Sequence, residues 1–121
     1  MTTVLIIEDE HWLAEVFAEA LQNAGMQPHI VSHAHSAMAF IETLIPEVII
    51  ADMLLTGSTI LPLLHELQTH ADTKHVPVVL CTNVADTLTP EALKQYGIRR
   101  VLDKTTMMPD DVLAAVRSVL L

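Results

Sequence analysis

Short runs of aliphatic, mostly β-branched residues that stop abruptly at a charged or hydroxyl residue set the strongest constraint on this chain. Val4-Leu5-Ile6-Ile7 stops at Glu8-Asp9-Glu10, Val48-Ile49-Ile50-Ala51 at Asp52, and Pro77-Val78-Val79-Leu80-Cys81 at Thr82. A run without polar alternation suits a strand covered on both faces, as in a parallel sheet. Between the runs lie stretches of helical period. Trp12, Leu13, Val16, Phe17, Ala20, Leu21 and Ala24 share one face and Gly25 follows as a stop, which predicts a helix over about 11–24. His29-Ile30-Val31 is a weaker, more polar strand whose preceding Pro28 permits an edge position. A helix over about 35–44, with Met38, Ile41 and Leu44 inward, must close before Pro46.

The second half continues the alternation. Thr59 to about Gln68 reads as a helix with Pro62 in its opening turn, and Thr89-Pro90 as an N-cap and first helical position of a helix that closes at Gly97. A last strand over about 100–102 runs into Asp103-Lys104, and Pro109-Asp110-Asp111 opens a final helix through Val112, Leu113, Val116 and Leu120. Five strands alternating with five helices imply right-handed crossovers and a doubly wound parallel α/β sheet. The second strand is the polar one, so the order 2-1-3-4-5 places it at an edge.

The 121 residues suit one domain, 1–121, without a separate output module. Hydrophobic residues at 51% against charged residues at 17% exclude a disordered chain. A formal charge of −9 is the wrong sign for direct nucleic-acid binding. The lone Cys81 allows no internal disulfide, and the first residues lack a basic segment ahead of an apolar one, so a cytoplasmic location is expected. The longest stretch free of charge and His, Met53 to Leu64, has 12 residues. A membrane span needs about 20, so no membrane insertion is expected.

Ligands of an open parallel sheet bind outside the carboxyl ends of its strands. Those ends carry Glu8 and Asp9, Asp52, Thr82 and Lys104. Three converging carboxylates repel one another and need a cation, and all-oxygen ligation points to Mg²⁺ or another hard divalent ion. An Asp in such a site can attack phosphorus to give an acyl phosphate while a lysine and the metal neutralise the phosphoryl oxygens. Asp52 and Lys104 have those parts, and the Thr82 hydroxyl can donate to the phosphoryl group and so sense it.

This ordered set resembles the response-regulator receiver domain of two-component signalling. The spacings of 43, 30 and 22 residues between Asp9, Asp52, Thr82 and Lys104 are similar to that family's. The resemblance implies a flavodoxin-like (βα)5 fold and a phosphoacceptor switch or phosphorelay protein rather than an ordinary enzyme, one that catalyses its own phosphorylation and dephosphorylation. It also implies that a histidine kinase or histidine phosphotransfer protein phosphorylates Asp52, with Mg²⁺ held by Glu8, Asp9, Asp52 and the backbone carbonyl of Leu54. A downstream protein would dock on the face of the fourth helix, fifth strand and fifth helix, and the last helix is a candidate for homodimer contacts.

The chain departs from the family pattern at several places. Leu55-Thr56 and Thr59-Ile60 stand where many receivers have Met-Pro and Asp-Gly, Asn83 stands for a small residue, Val101 for a Tyr or Phe, and Thr105 for a proline. Without that proline the Lys104–Thr105 bond is expected to be trans. Apolar Leu54 and Val84 are expected to hinder a hydrolytic water and slow phosphate loss. These changes motivate an alternative, a pseudo-receiver that binds partners independently of phosphorylation. A phosphatase or flavoprotein on the same fold is disfavoured, because Leu54 cannot serve as a general acid and no Ser/Thr/Gly-rich loop follows the first strand. Four of the six basic residues, Lys94, Arg99, Arg100 and Lys104, fall within eleven residues and read as a solvated patch.

Overall fold

The computed structural model describes residues 1–55, 58–83 and 88–120. Along the chain run β1 (Thr3–Ile7), α1 (His11–Asn23), β2 (Gln27–Val31), α2 (Ala34–Thr43), β3 (Val48–Asp52), β4 (Leu54–Leu55), β5 (Ser58–Thr59), α3 (Leu61–Gln68), β6 (Val78–Thr82), α4 (Pro90–Gln95), β7 (Ile98–Asp103) and α5 (Pro109–Val119). The main sheet has the order β2-β1-β3-β6-β7, with every pair parallel. Since β6 and β7 are its fourth and fifth strands, this is the expected 2-1-3-4-5 order, with the polar β2 at an edge.

Side chains alternate across each strand, so the continuous apolar runs feed two cores. Val4, Ile6, Val48, Ile50, Val79 and Cys81 pack against α1 and α5, while Leu5, Ile7, Ile49, Ala51, Val78 and Leu80 pack against α2 and α3. All five residues of β3 and of β6 are buried. Each fully buried Leu, Ile or Val contributes about 1.5–3 kcal/mol relative to exposure, which makes a polar replacement in these strands prohibitive.

The helices are where expected, but their inward faces are rotated. In α1 the buried residues are Ala14, Phe17, Ala18 and Leu21, whereas Trp12 is 64% exposed. Alanines let the helix approach the sheet closely, and the large indole is left outside, its Nε1–H donating to Glu10 Oε1 at 3.0 Å. Leu44, expected inward, is exposed because it caps the end of α2, and Leu120 is exposed as the cap of α5. Thr89 caps α4 by accepting from the Ala92 amide at 3.2 Å, and Asp111 accepts from the Met108 amide at 2.7 Å at the start of α5.

One element was not legible in the sequence. Ser58 and Thr59 pair antiparallel with Leu55 and Leu54 in a small hairpin, so α3 begins at Leu61 and not at Thr59. The hairpin is continued by the Ile60 amide, which donates to the Met53 carbonyl at 2.9 Å, and Pro62 keeps its place in the first turn of α3. Two-residue strands have no periodicity to read, and β-branched Thr59 suits the paired backbone as well as a helix start. Thr56 and Val84 lie outside the described residues. Among the described residues no helix is long and apolar enough to cross a membrane.

Candidate functional site

Parallel register brings the ends of β1, β3, β6 and β7 to one edge. Asp52 stands beside Cys81 and Thr82 beside Asp103, and the Lys104 amide then donates to the Thr82 carbonyl at 3.0 Å, prolonging the β6–β7 ladder by one residue. From that anchored backbone the Lys104 ammonium reaches across the sheet edge. Its Nζ donates to Glu8 Oε1 at 2.5 Å and to Asp52 Oδ2 at 2.7 Å. The second oxygen of Asp52 accepts from the Leu54 amide and the second oxygen of Glu8 from the Glu10 amide, each at 3.3 Å.

Burial distinguishes the members. Glu8 is 2% exposed, Thr82 1% and Asp52 9%, while Asp9 faces more solvent. One carboxylate oxygen from each of Glu8, Asp9 and Asp52 lies within 4.8 Å of the others. Three carboxylates and one ammonium leave two negative charges in excess among these four groups, which matches a divalent cation. An all-carboxylate set is a hard oxygen set, so the residues present fit a hard ion and not a thiophilic one.

Electrostatics follow from the burial. Desolvation raises the Glu8 carboxyl above the ordinary glutamate range despite the opposing pull of Lys104. For Lys104 burial favours the neutral amine, but its hydrogen bonds to Asp52 and Glu8 outweigh it and the ammonium is held above its usual range. The group is therefore a charged cation throughout the physiological range, tethered between two acids. Burial also pushes the Cys81 thiol up to about 12, so this neighbour of Asp52 offers no thiolate.

The structure thus brings together Glu8, Asp9, Asp52 and Lys104, with Thr82 buried at the end of β6 beside them. Leu54 lies on β4 with its side chain 55% exposed and its amide turned to Asp52. The Lys104–Thr105 bond is trans, as expected without proline. What the sequence reading missed is the clip that replaces that proline. Asp103 Oδ1 accepts from the Thr105 amide at 2.9 Å and from the Thr105 hydroxyl at 2.7 Å, and the Asp103 carbonyl accepts from the Thr106 and Met107 amides. An Asp two residues before a Thr is a recognisable turn signature, and Asp103-Lys104-Thr105 carries it.

Comparison with known proteins agrees with this arrangement. The chain is 26% identical over 117 residues to the transcriptional regulatory protein BaeR of Escherichia coli O6:H1, covering 97% of this chain and 47% of that protein. It is 32% identical over 82 residues to the sensory transduction protein RegX3 of Mycolicibacterium smegmatis, covering 68% of this chain and 35% of that one. The chain therefore spans half or less of the length of these curated relatives. In fold it is similar to the chemotaxis response regulator CheY4 of Vibrio cholerae, with a TM-score of 0.89 at 22% identity over 99% of both chains. The family model of the response regulator receiver domain matches residues 4–117. Members of that family are signalling switches, for which a phosphorylated aspartate and Mg²⁺ are typical. With the sheet order, the acidic edge and this match in agreement, the chain belongs to the response regulator receiver domain family of two-component signal transduction.

Proposed function

We propose that residues 1–121 form a phosphoacceptor switch or relay in which Asp52 receives a phosphoryl group from a histidine kinase or a histidine phosphotransfer protein. The observation that carries this reading is the bridge from Lys104 Nζ to both Glu8 and Asp52, with Asp9 beside them. An Asp52 oxygen forms the new bond to phosphorus as the phosphorus–nitrogen bond of the donor breaks, and the leaving imidazole keeps the electron pair and takes a proton. Glu8, Asp9, Asp52 and the Leu54 carbonyl are the proposed holders of Mg²⁺. When bound, the ion supplies charge neutralisation for the phosphoryl oxygens.

Lys104 then has a second task. Its ammonium, already desolvated and held by the acids, moves from the Asp52 carboxylate to a phosphoryl oxygen. Thr82 donates its hydroxyl to another and, through its carbonyl, stays tied to the Lys104 backbone. The proposed readout is a downstream protein on the face of α4, β7 and α5, and α5 is the proposed homodimer element. Val101 lies partly buried against the core with Leu93 and Tyr96, too small and stiff for the rotating reporter that an aromatic residue provides.

Intact mass after incubation with acetyl phosphate and Mg²⁺ tests the reading. A gain of about 80 Da that disappears in Asp52→Asn is expected for an aspartyl phosphate. No gain, with no Mg²⁺ binding by calorimetry, would favour the pseudo-receiver that the sequence changes at 55, 56, 83, 101 and 105 suggest, and partner binding would then be unaffected by Asp52→Asn.

A further inference from the structure

The basic residues clustered in the sequence separate in the structure. Lys104 belongs to the acidic edge, while Lys94 and Arg99 meet Lys74 around a cavity of about 460 Å³ at the opposite, amino-terminal edge of the sheet. That places three of the chain's six Lys and Arg residues on one cavity of a protein with a formal charge of −9. Among the described residues none of the three forms an ion pair with a carboxylate. The volume lies in the range of small-ligand pockets, and Leu93 and Ile98 supply an apolar wall.

The backbone shapes this cavity in two ways. In the β6–β7 ladder Val78 pairs with Ile98 and Val79 with Arg100, so Arg99 is the extra residue of a β-bulge. Bulges re-aim a side chain, and in parallel sheets they are rare. Arg99 joins the cavity lining, while the Arg100 guanidinium turns back to donate to the Arg99 carbonyl at 2.7 Å. The second device is Gly97, at φ +74°, where a Cβ would stand 2.5 Å from Gln68 Nε2. Both residues line the cavity, and only glycine lets the Gln68 carboxamide, a ready donor, lie there.

We infer that the cavity between α3, α4 and the start of β7, ringed by Lys74, Lys94 and Arg99, binds a small phosphate-bearing anion. Arg99 offers the planar fork that suits phosphate oxygens, and the two lysines add charge. A small ligand is favoured over an acidic protein segment by the overall charge. A compact anion stays within a Debye length, about 8–10 Å, of the three cations, whereas an extended acidic partner also meets the rest of a strongly negative surface. The inference does not depend on phosphorylation of Asp52, since the two sites lie at opposite edges of the sheet.

Amide chemical-shift mapping with ADP and, separately, with pyrophosphate tests it, in EDTA so that the acidic edge binds no divalent ion. Saturable shifts at Lys94, Gly97, Ile98 and Arg99 are expected with both probes. Lys94→Gln and Arg99→Gln, both exposed positions, are each expected to weaken binding about tenfold. Tighter binding of ADP than of pyrophosphate would identify an organic phosphate resting on Leu93 and Ile98, and equal binding would identify the phosphate groups alone. The inference is overturned by shifts that never saturate, by binding indifferent to both substitutions, or by binding of a glutamate-rich peptide where ADP and pyrophosphate fail.

Discussion

The Lys104 amide donates to the Thr82 carbonyl at 3.0 Å, while the Lys104 ammonium bridges Glu8 and Asp52. One residue is thereby fixed to β6 through its backbone and to β1 and β3 through its side chain. On the proposed function, displacement of the ammonium toward a phosphoryl group at Asp52 would be felt at the end of β6. The same residue also offsets much of the charge burial at this edge.

Lys104→Ala therefore has a stability cost that depends on pH. Removing the partner of a buried acid costs about 2–4 kcal/mol at neutral pH, toward the lower side of such losses because the ammonium keeps some solvent. Without the lysine, the already raised Glu8 carboxyl rises further. The folded state then binds a proton before the unfolded state does as pH falls, so the deficit shrinks on acidification. Urea denaturation at neutral and mildly acidic pH checks this, and an unchanged deficit would contradict it.

Glu8→Gln reverses the sign. The carboxamide oxygen still accepts from Lys104, but the buried charge and its repulsion from Asp52 are gone, so the metal-free protein is expected to gain about 1 kcal/mol. In the parent protein a raised carboxyl means that Glu8 favours folding less as pH rises through its folded-state value. Thermal melts with Mg²⁺ and with EDTA should show the parent stabilised by the ion, by about 1.4 kcal/mol at tenfold excess over Kd, and the variant hardly at all.

Leu54 is predicted to prolong the life of a phosphoryl group on Asp52. Its amide donates to Asp52 and the residue is 55% exposed, and an apolar side chain close to the acid would disfavour an ordered attacking water. Leu54→Asn is expected to shorten the half-life of the phosphorylated protein several-fold, measured as loss of the mass gain after acetyl phosphate is removed. A half-life equal to or longer than the parent's would refute this role.

The Asp103–Thr105 clip can be titrated directly. The Thr105 hydroxyl, and then its amide, hold the Asp103 carboxyl below the ordinary aspartate range. The clip is therefore in place above that ordinary range and is lost as pH falls through the depressed folded value. Thr105→Val removes the hydroxyl, and carbonyl-detected NMR should show the Asp103 midpoint move upward while the Lys104–Thr105 bond stays trans.

The sequence by itself determined the sheet. Uninterrupted runs such as Val48 to Ala51 have no polar face to offer water, so they had to be covered on both sides, and the polar β2 had to take an edge. The acids and the lysine at the strand ends were legible for the same reason, since a buried run must stop where charge begins. The hairpin of Leu54-Leu55 with Ser58-Thr59 was not legible, nor was the exposure of Trp12, because both depend on how closely alanine-faced helices and short loops pack on the finished sheet. Tertiary structure alone decided that Lys104 leaves its basic neighbours for Glu8, 96 residues away, and that the bulge at Arg99 joins Lys94 to Lys74. Charge pairing across a sheet edge is a matter of distance in space, and local sequence carries no record of it.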